Sequence, residues 1–152
     1  MDIQRITEVG VAVHDLEAAT RMFVDLFGAT ASDVYTVERY EMRYRMCRVG
    51  KVDFELMEPI GTSGVIADFL AKRGQGLHHI AFAVDDVATG MENLRAKGVS
   101  FVDGAPVPVY LEGEDFAGRS FQGDVKLAFS NPRSVLGILF EFLEYPPGYD
   151  AG

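Results

Sequence analysis

The chain repeats itself, and this duplication limits its fold more than any other feature of the sequence. ITEVGVAVHDLEAATRMF (6–23) aligns with LHHIAFAVDDVATGMENL (77–94) at a constant offset of 71 residues. Each copy alternates large and small apolar residues and then reaches an aspartate, Asp15 or Asp86, before a helical pattern. Alternation with a period of two predicts a strand, and the aspartate predicts a helix N-cap. Each copy therefore predicts a strand followed by a helix.

The second half of each copy repeats as well. FELME (54–58) aligns with FEFLE (140–144) at an offset of 86, so the second copy contains 15 additional residues. We expect them to form a loop or hairpin at 106–121, outside the core and over a cleft. The sequence predicts an α+β fold in a single domain, 1–152, made of two pseudo-symmetric βαβββ modules, about 1–60 and 76–146.

The predicted elements follow from the same patterns. Helices are expected at 16–27 and 87–97, and each stops at a glycine, Gly28 or Gly98, which suits a left-handed C-terminal position. A linking helix is expected at 64–74. Besides the two repeated strands, further strands are predicted at 32–36, 41–49, 52–58, 99–102, 124–130 and 137–144.

Composition limits the class of protein. The formal net charge of −9 argues against nucleic-acid binding, which needs basic patches. No run of residues is long and apolar enough to predict a membrane helix. A single cysteine, Cys47, rules out an internal disulfide and is expected to fill a space in the core. With no apolar leader at MDIQRITEVG, we expect a cytoplasmic protein.

Four polar residues occupy repeat-equivalent positions, Glu8 with His79 and Glu55 with Glu141. Alternate residues of a strand share a face, so each polar residue is expected to share a face with small neighbours that leave it open. The bulky alternates are expected to form the cores between helix and sheet: Val9, Val11, Val13, Ile80, Phe82 and Val84.

The charge of these residues predicts a metal. Glu141 lies between two phenylalanines, and an isolated carboxylate in apolar surroundings must pair, bind a metal or shift its pKa. Three carboxylates in one cleft repel one another, whereas a divalent cation neutralises them and accepts histidine as a further ligand. Taken singly, each residue has a plain alternative as a solvated or structural side chain. We also expect the arginines to be solvated surface groups: Arg43, Arg45, Arg48 and Arg133.

These residues resemble the vicinal oxygen chelate superfamily of glyoxalase I, extradiol dioxygenases, bleomycin-resistance proteins and methylmalonyl-CoA epimerase. The resemblance covers nearly the whole chain and is strongest to the epimerase, above all in GVIADFLAKRGQGLHHIAFAVDDV (64–87). ITEVGVAVHDLEAA, VDFELMEPIG and KLAFSNPRSVLGILFEFLE resemble the other family stretches. The resemblance implies sheets that curl around a metal cleft, a homodimer, and the four metal ligands Glu8, Glu55, His79 and Glu141.

This chain departs from the epimerase pattern at two places. Epimerases usually begin the first strand with His, where this chain has Glu8. A carboxylate there favours a harder divalent ion such as Mn²⁺, Mg²⁺ or Co²⁺, with Ni²⁺ and Zn²⁺ as the other candidates, and weighs against an Fe(II) dioxygenase. The second departure is the insertion at 106–121, which is expected to alter access for a substrate.

The leading functional prediction is a metal-dependent epimerase or isomerase that removes a proton α to a carbonyl. Its substrate is expected to be a small carbonyl compound or an acyl-CoA. The proton-transfer candidates are Glu141 and Glu41, the latter expected on the strand YEMRYRM. A glyoxalase I-type lyase and a metal-free binding or resistance protein of the same fold are the two alternatives.

Overall fold

The computed structural model describes all 152 residues. The chain divides into two compact units, one of residues 8–78 and the other of residues 1–7 with 79–152. None of its helices combines the length and the apolar character that crossing a membrane requires.

Helices and strands intermix along the chain, which confirms the predicted α+β class. The three helices are α1 (Leu16–Phe27), α2 (Val65–Arg73) and α3 (Val87–Ala96). The nine strands are β1 (Ile3–Ala12), β2 (Thr30–Ala31), β3 (Tyr35–Val37), β4 (Met42–Val49), β5 (Val52–Pro59), β6 (Gly76–Val84), β7 (Val107–Glu114), β8 (Ser120–Phe129) and β9 (Phe140–Glu144).

The unit of residues 8–78 has a mixed sheet in the order β2-β4-β5-β1, and β3 also pairs with β4. β5 runs parallel to β1 and antiparallel to β4. Helix α1 covers one face, where Leu16 packs with Val13 and Leu56. Helix α2 lies against the other face, where Ile66 and Leu70 pack around Ala12, Met42 and Met57.

The other unit has a similar mixed sheet, in which the first residues of β1 precede the order β6-β9-β8-β7. β6 and β9 are parallel, while β8 is antiparallel to both of its neighbours. Helix α3 packs its Val87 and Met91 against Phe142 on one face. The other face carries a second apolar cluster formed by Ala81, Val125, Leu127 and Leu143.

Both repeated helices begin as predicted, at an aspartate N-cap. The Asp15 carboxylate accepts a hydrogen bond from the Ala18 amide at 2.9 Å, and Asp86 accepts one from the Thr89 amide at 3.0 Å. The Thr89 hydroxyl donates a second bond to Asp86, and these hydrogen bonds lower the pKa of that carboxyl. Such caps satisfy amides that have no partner within the helix.

The last glutamate of each repeated motif also holds a helix start, a role that the sequence analysis missed. Glu58 accepts a bond from the Leu16 amide at 3.3 Å, and Glu144 accepts one from the Val87 amide at 3.0 Å. Across the strands, the cations of Arg43 and Lys126 contact these carboxylates. The Glu144 contact raises the pKa of the Lys126 ammonium group. The sequence did contain a signal for this role, because Glu58 and Glu144 align at the same offset of 86 residues as the rest of the motif.

Several predicted boundaries are wrong. Residues 99–102 form no strand, because only Phe101 makes an isolated bridge, to Ser130. The strand β7 follows α3 instead, and it pairs along its whole length with β8, which begins at Ser120. Residues 32–36 are interrupted between β2 and β3, and β9 begins at Phe140 rather than at 137.

The insertion forms the expected hairpin from β7 and β8, but it is not wholly outside the core. Val107 and Leu111 pack against the Val125 and Leu127 cluster, so β7 covers apolar surface. At the turn Asp115 is buried and accepts bonds from the Ala117, Arg119 and Asp150 amides and from the Arg119 side chain. Burial acts to raise the pKa of Asp115, but these hydrogen bonds lower the pKa by a larger amount. The net shift of the pKa is therefore downward.

The prediction about the two faces of the repeated strands is also wrong in part. Among the bulky alternates only Val13 and Val84 are buried, and the other four are half-buried. The small alternates Ala12, Ala81 and Ala83 are fully buried, and Ala12 and Ala81 lie in apolar clusters with side chains from neighbouring elements. The small residues thus permit close packing and do not leave an open face.

Candidate metal centre

In the unit of residues 8–78, two carboxylates lie close together on one face of the sheet. In the parallel pairing of β1 with β5, Gly10 lies opposite Glu55, and Glu8 is two residues before Gly10. Glu8 and Glu55 therefore point to the same side, and each offers a ligand oxygen within 4.8 Å of the other. Glu55 is buried and Glu8 is half-buried. Two carboxylates at this separation repel unless a proton or a cation neutralises them.

In the other unit, an imidazole and a carboxylate are in direct contact. The parallel pairing of β6 with β9 sets Ala81 opposite Glu141, so His79, two residues earlier, shares the face of Glu141. His79 Nε2 lies 3.1 Å from Glu141 Oε2, and each residue is only 5% exposed. The edge of the Phe129 ring packs against the imidazole with the ring centroids 5.8 Å apart. This is a buried, partly apolar setting for two good metal ligands.

The two phenylalanines that flank Glu141 in sequence do not surround it in space. Phe142 belongs to the cluster beneath α3, and Phe140 stacks on Phe82 with ring centroids 5.4 Å apart. Both rings lie on the helix-covered face, whereas Glu141 shares the opposite face with His79. The burial of Glu141 arises instead on that opposite face, which it shares with Leu143 and, across the β8–β9 pair, with Phe129.

Glu41 is not on a strand, contrary to the prediction. It occupies the exposed turn just before β4, with a left-handed backbone of φ 52°. The Ser63 hydroxyl donates a hydrogen bond of 2.9 Å to Glu41 Oε1. A left-handed conformation is strained for a residue other than glycine, so the turn holds this side chain in a defined place.

Three of the four arginines are ion-paired, and two of the four, Arg43 and Arg133, are exposed as we expected. Arg43 contacts Glu58 with 48% of its side chain exposed, whereas Arg45 and Arg48 are 18% and 25% exposed. Arg48 binds Asp53 with both nitrogens of a guanidinium fork. The signal for this pair was present in the sequence, because both residues are equidistant from the turn between β4 and β5.

The other candidates have structural roles. Cys47 is fully buried beneath α1, and burial raises the pKa of its thiol, as suits an inert core residue. His78 packs edge-on against Phe69 with ring centroids 5.0 Å apart. Each of the two pairs, Glu8 with Glu55 and His79 with Glu141, offers donor atoms of the kinds that divalent metal ions bind.

Comparison with known proteins supports this assignment of the fold. The chain is 29% identical to the uncharacterized protein YqjC of Bacillus subtilis over 93% of both chains. It is 29% identical to the mitochondrial methylmalonyl-CoA epimerase of Mus musculus, over 75% of this chain and 68% of that protein. A variant of Streptomyces coelicolor methylmalonyl-CoA epimerase, solved in complex with 2-nitronate-propionyl-CoA, superposes with a TM-score of 0.78 at 26% identity, over 94% of this chain and 98% of that chain.

The match to a family model extends from the first strand to the turn of the inserted hairpin. Residues 7–117, most of the chain, match the model of the Glyoxalase/Bleomycin resistance protein/Dioxygenase superfamily. The predicted resemblance to vicinal oxygen chelate proteins is thereby confirmed. The chain belongs to the Glyoxalase/Bleomycin resistance protein/Dioxygenase superfamily.

Proposed function

We propose that this protein is a metal-dependent epimerase that inverts the carbon next to the carbonyl of an acyl-CoA thioester, with methylmalonyl-CoA as the first substrate to test. The observation that carries the proposal is the buried contact between His79 and Glu141 in a chain whose relatives are named methylmalonyl-CoA epimerases. Epimerisation needs a polarised carbonyl and groups that move a proton, and a buried imidazole–carboxylate pair suits both requirements.

The proposed metal ligands are the two pairs described above, Glu8 with Glu55 and His79 with Glu141, which together hold one divalent cation. Each residue offers a carboxylate oxygen or an imidazole nitrogen. Three oxygen donors and one nitrogen donor suit Mn²⁺, Co²⁺ or Mg²⁺, and Ni²⁺ and Zn²⁺ are the other candidates. When bound, the cation would supply Lewis-acid polarisation of the thioester carbonyl, which acidifies the neighbouring C–H bond.

We assign proton transfer to Glu141 and Glu41, and Glu141 can act in this way only when its carboxylate leaves the cation. Inversion requires one group to take the proton from one side of the carbon and another to deliver a proton to the opposite side. Burial of Glu141 keeps water away from its carboxylate, and the bond from Ser63 holds one oxygen of Glu41. The strained backbone of Glu41 supports its role, because such strain concentrates at functional sites.

Hydrogen exchange tests the function directly. We expect the protein loaded with Co²⁺ or Mn²⁺ to exchange the C2 proton of methylmalonyl-CoA for deuterium in D₂O, followed by NMR. Glu141→Gln should abolish exchange, and Glu41→Gln should slow washout from one enantiomer more than from the other. Glu144→Gln is the matched control. Glu144 is on the same strand as Glu141, but its carboxylate accepts a hydrogen bond from the Val87 amide at the start of α3.

Other outcomes separate this proposal from its competitors. Absence of exchange with every candidate metal would contradict an epimerase. Turnover of the hemithioacetal of glutathione without exchange of methylmalonyl-CoA would instead indicate a glyoxalase-type lyase. Family resemblance also leads us to propose a homodimer, for which the measurement is the solution mass by light scattering.

A further inference from the structure

A charged row crosses three neighbouring strands in the unit of residues 8–78. In the register of the sheet, Arg48 of β4 lies opposite Asp53 of β5, and Asp53 lies opposite Glu8 of β1. Asp53 also shares its face with Glu55, because the two are separated by one residue on the same strand. Three carboxylates and one guanidinium group therefore lie on the same face of the sheet.

The guanidinium group of Arg48 forms two hydrogen bonds to the carboxylate of Asp53, the middle residue of the row. Arg48 Nε donates to Asp53 Oδ1 at 2.8 Å, and Nη2 donates to Oδ2 at 2.9 Å. Both carboxylate oxygens are thus engaged, and Asp53 is 8% exposed. A two-point pair of this kind fixes the orientation of both groups as well as neutralising their charge.

This pairing matters because of its neighbours. Side chains directly opposite each other on adjacent strands have their Cβ atoms about 4.5–5.5 Å apart, so Asp53 lies within reach of Glu8. Without Arg48, Asp53 would be a third charged carboxylate available to a cation at Glu8 and Glu55. Without Asp53, the positive charge of Arg48 would lose this counter-charge and would repel a cation in the same row more strongly.

We propose that Arg48 and Asp53 are positioning residues that set the charge and the ligand number of the metal centre, with Arg48 keeping Asp53 out of the ligand set. This inference rests on the proposed function, because it concerns the cation held by Glu8 and Glu55. With the pair intact, the centre has only the proposed ligands. With the pair broken at Arg48, Asp53 is an additional carboxylate ligand.

The inference predicts changes of opposite sign for the two halves of one ion pair. Arg48→Met should tighten Mn²⁺ binding by about tenfold, because Asp53 is then free to act as an oxygen ligand. Asp53→Asn should weaken Mn²⁺ binding by about tenfold, because the negative charge that offsets part of the Arg48 charge is then removed. A purely structural pair would give the same sign for both substitutions, or no change in affinity.

Calorimetric titration of the full chain with Mn²⁺ and with Zn²⁺ measures these affinities. Arg48→Met should also shift preference toward Mn²⁺, since the added ligand is an oxygen. Arg48→Lys keeps the positive charge, so its Mn²⁺ affinity should remain within about threefold of the wild-type affinity. This change is well below the one that removal of the charge produces. The control is Arg43→Met, which removes the same charge from the same strand, but from the opposite face, where Arg43 pairs with Glu58.

A double variant protects the test against misfolding. Asp53→Asn combined with Arg48→Met removes both charges of the pair and leaves the net charge unchanged, so it should fold and should return the affinity to near the wild-type value. Equal affinities in wild type, Arg48→Met and Asp53→Asn, or a change of the same sign in these two variants, would overturn this inference while leaving the proposed metal site intact. Failure of wild type to bind any divalent ion would overturn the proposed function as well.

Discussion

The polar pairs of the two compact units occupy equivalent positions of the repeat, yet they differ in chemistry. In the unit of residues 8–78 the pair is two carboxylates, Glu8 and Glu55, beside an arginine-bound aspartate. In the other unit the pair is His79 with Glu141, beside an aromatic ring. By contrast, Glu58 in one unit and Glu144 in the other each accept a hydrogen bond from the first amide of a helix. The two glutamates that accept bonds from helix-start amides have the same role in both units, whereas the two polar pairs differ in residue type.

The largest effect should come from Glu141, the most buried of the proposed carboxylate ligands. Glu141→Ala should abolish metal binding and epimerase activity, because the remaining donors lose the carboxylate that contacts His79. Its fold should remain stable, since the substitution removes a carboxylate that is costly to bury without a counter-charge. Calorimetric titration with Mn²⁺ and thermal unfolding provide the two measurements. An unchanged dissociation constant would exclude Glu141 from the ligand set.

The difference between Glu8 and His79 can be removed by substitution. Glu8→His should make the first pair resemble the second, and we expect the ratio of Zn²⁺ to Mn²⁺ affinity to rise by about tenfold. The reason is that imidazole suits Zn²⁺ and Ni²⁺ better than it suits Mn²⁺ or Mg²⁺. Competition titrations with both ions give this ratio, and Glu8→Gln serves as a neutral control. If both variants show the wild-type ratio, Glu8 does not bind the cation.

Substitution of the two glutamates that cap helix starts, Glu58 and Glu144, should lower stability by a smaller amount that is similar for both. Glu58→Ala and Glu144→Ala should each lower the free energy of unfolding by about 1 kcal/mol, the usual cost of losing a bond to a helix-start amide. Metal affinity should not change in either variant. Urea unfolding of both variants tests the equivalence, and a difference of more than about 1 kcal/mol between them would show that the two caps are not equivalent.

The smallest effect concerns the cap of α3 and its dependence on pH. The pKa of Asp86 is lowered in the folded protein, so ionised Asp86 contributes stability above its unfolded pKa of about 3.9, and this contribution is lost as the pH falls through the folded value. Asp86→Ser retains a cap without the charge. Wild type should therefore have the higher unfolding temperature near neutral pH, and the gap should close in acid. A gap that is constant from pH 7 to pH 2 would contradict this.

The repeated elements could be predicted from the sequence because their causes are local. Alternation, the aspartate caps and the stop at Gly28 all act within a few residues, and α1 is observed where it was predicted. The strand expected at 99–102 failed for the opposite reason, since β7 is selected by its pairing with β8. The same limit applies to Glu41, whose place depends on the turn that Ser63 helps to hold.

The sequence by itself determined the duplication, the α+β class and the family, because periodicity, caps and motif spacing are written along the chain. It also identified the residues of both polar pairs, whose repeat equivalence is visible without coordinates. Tertiary structure alone decided that Glu141 faces away from its neighbouring phenylalanines and contacts His79. It alone decided that the side chain of Arg48 is held by Asp53. Both contacts depend on strand register and on side-chain direction, which arise only when distant segments pair.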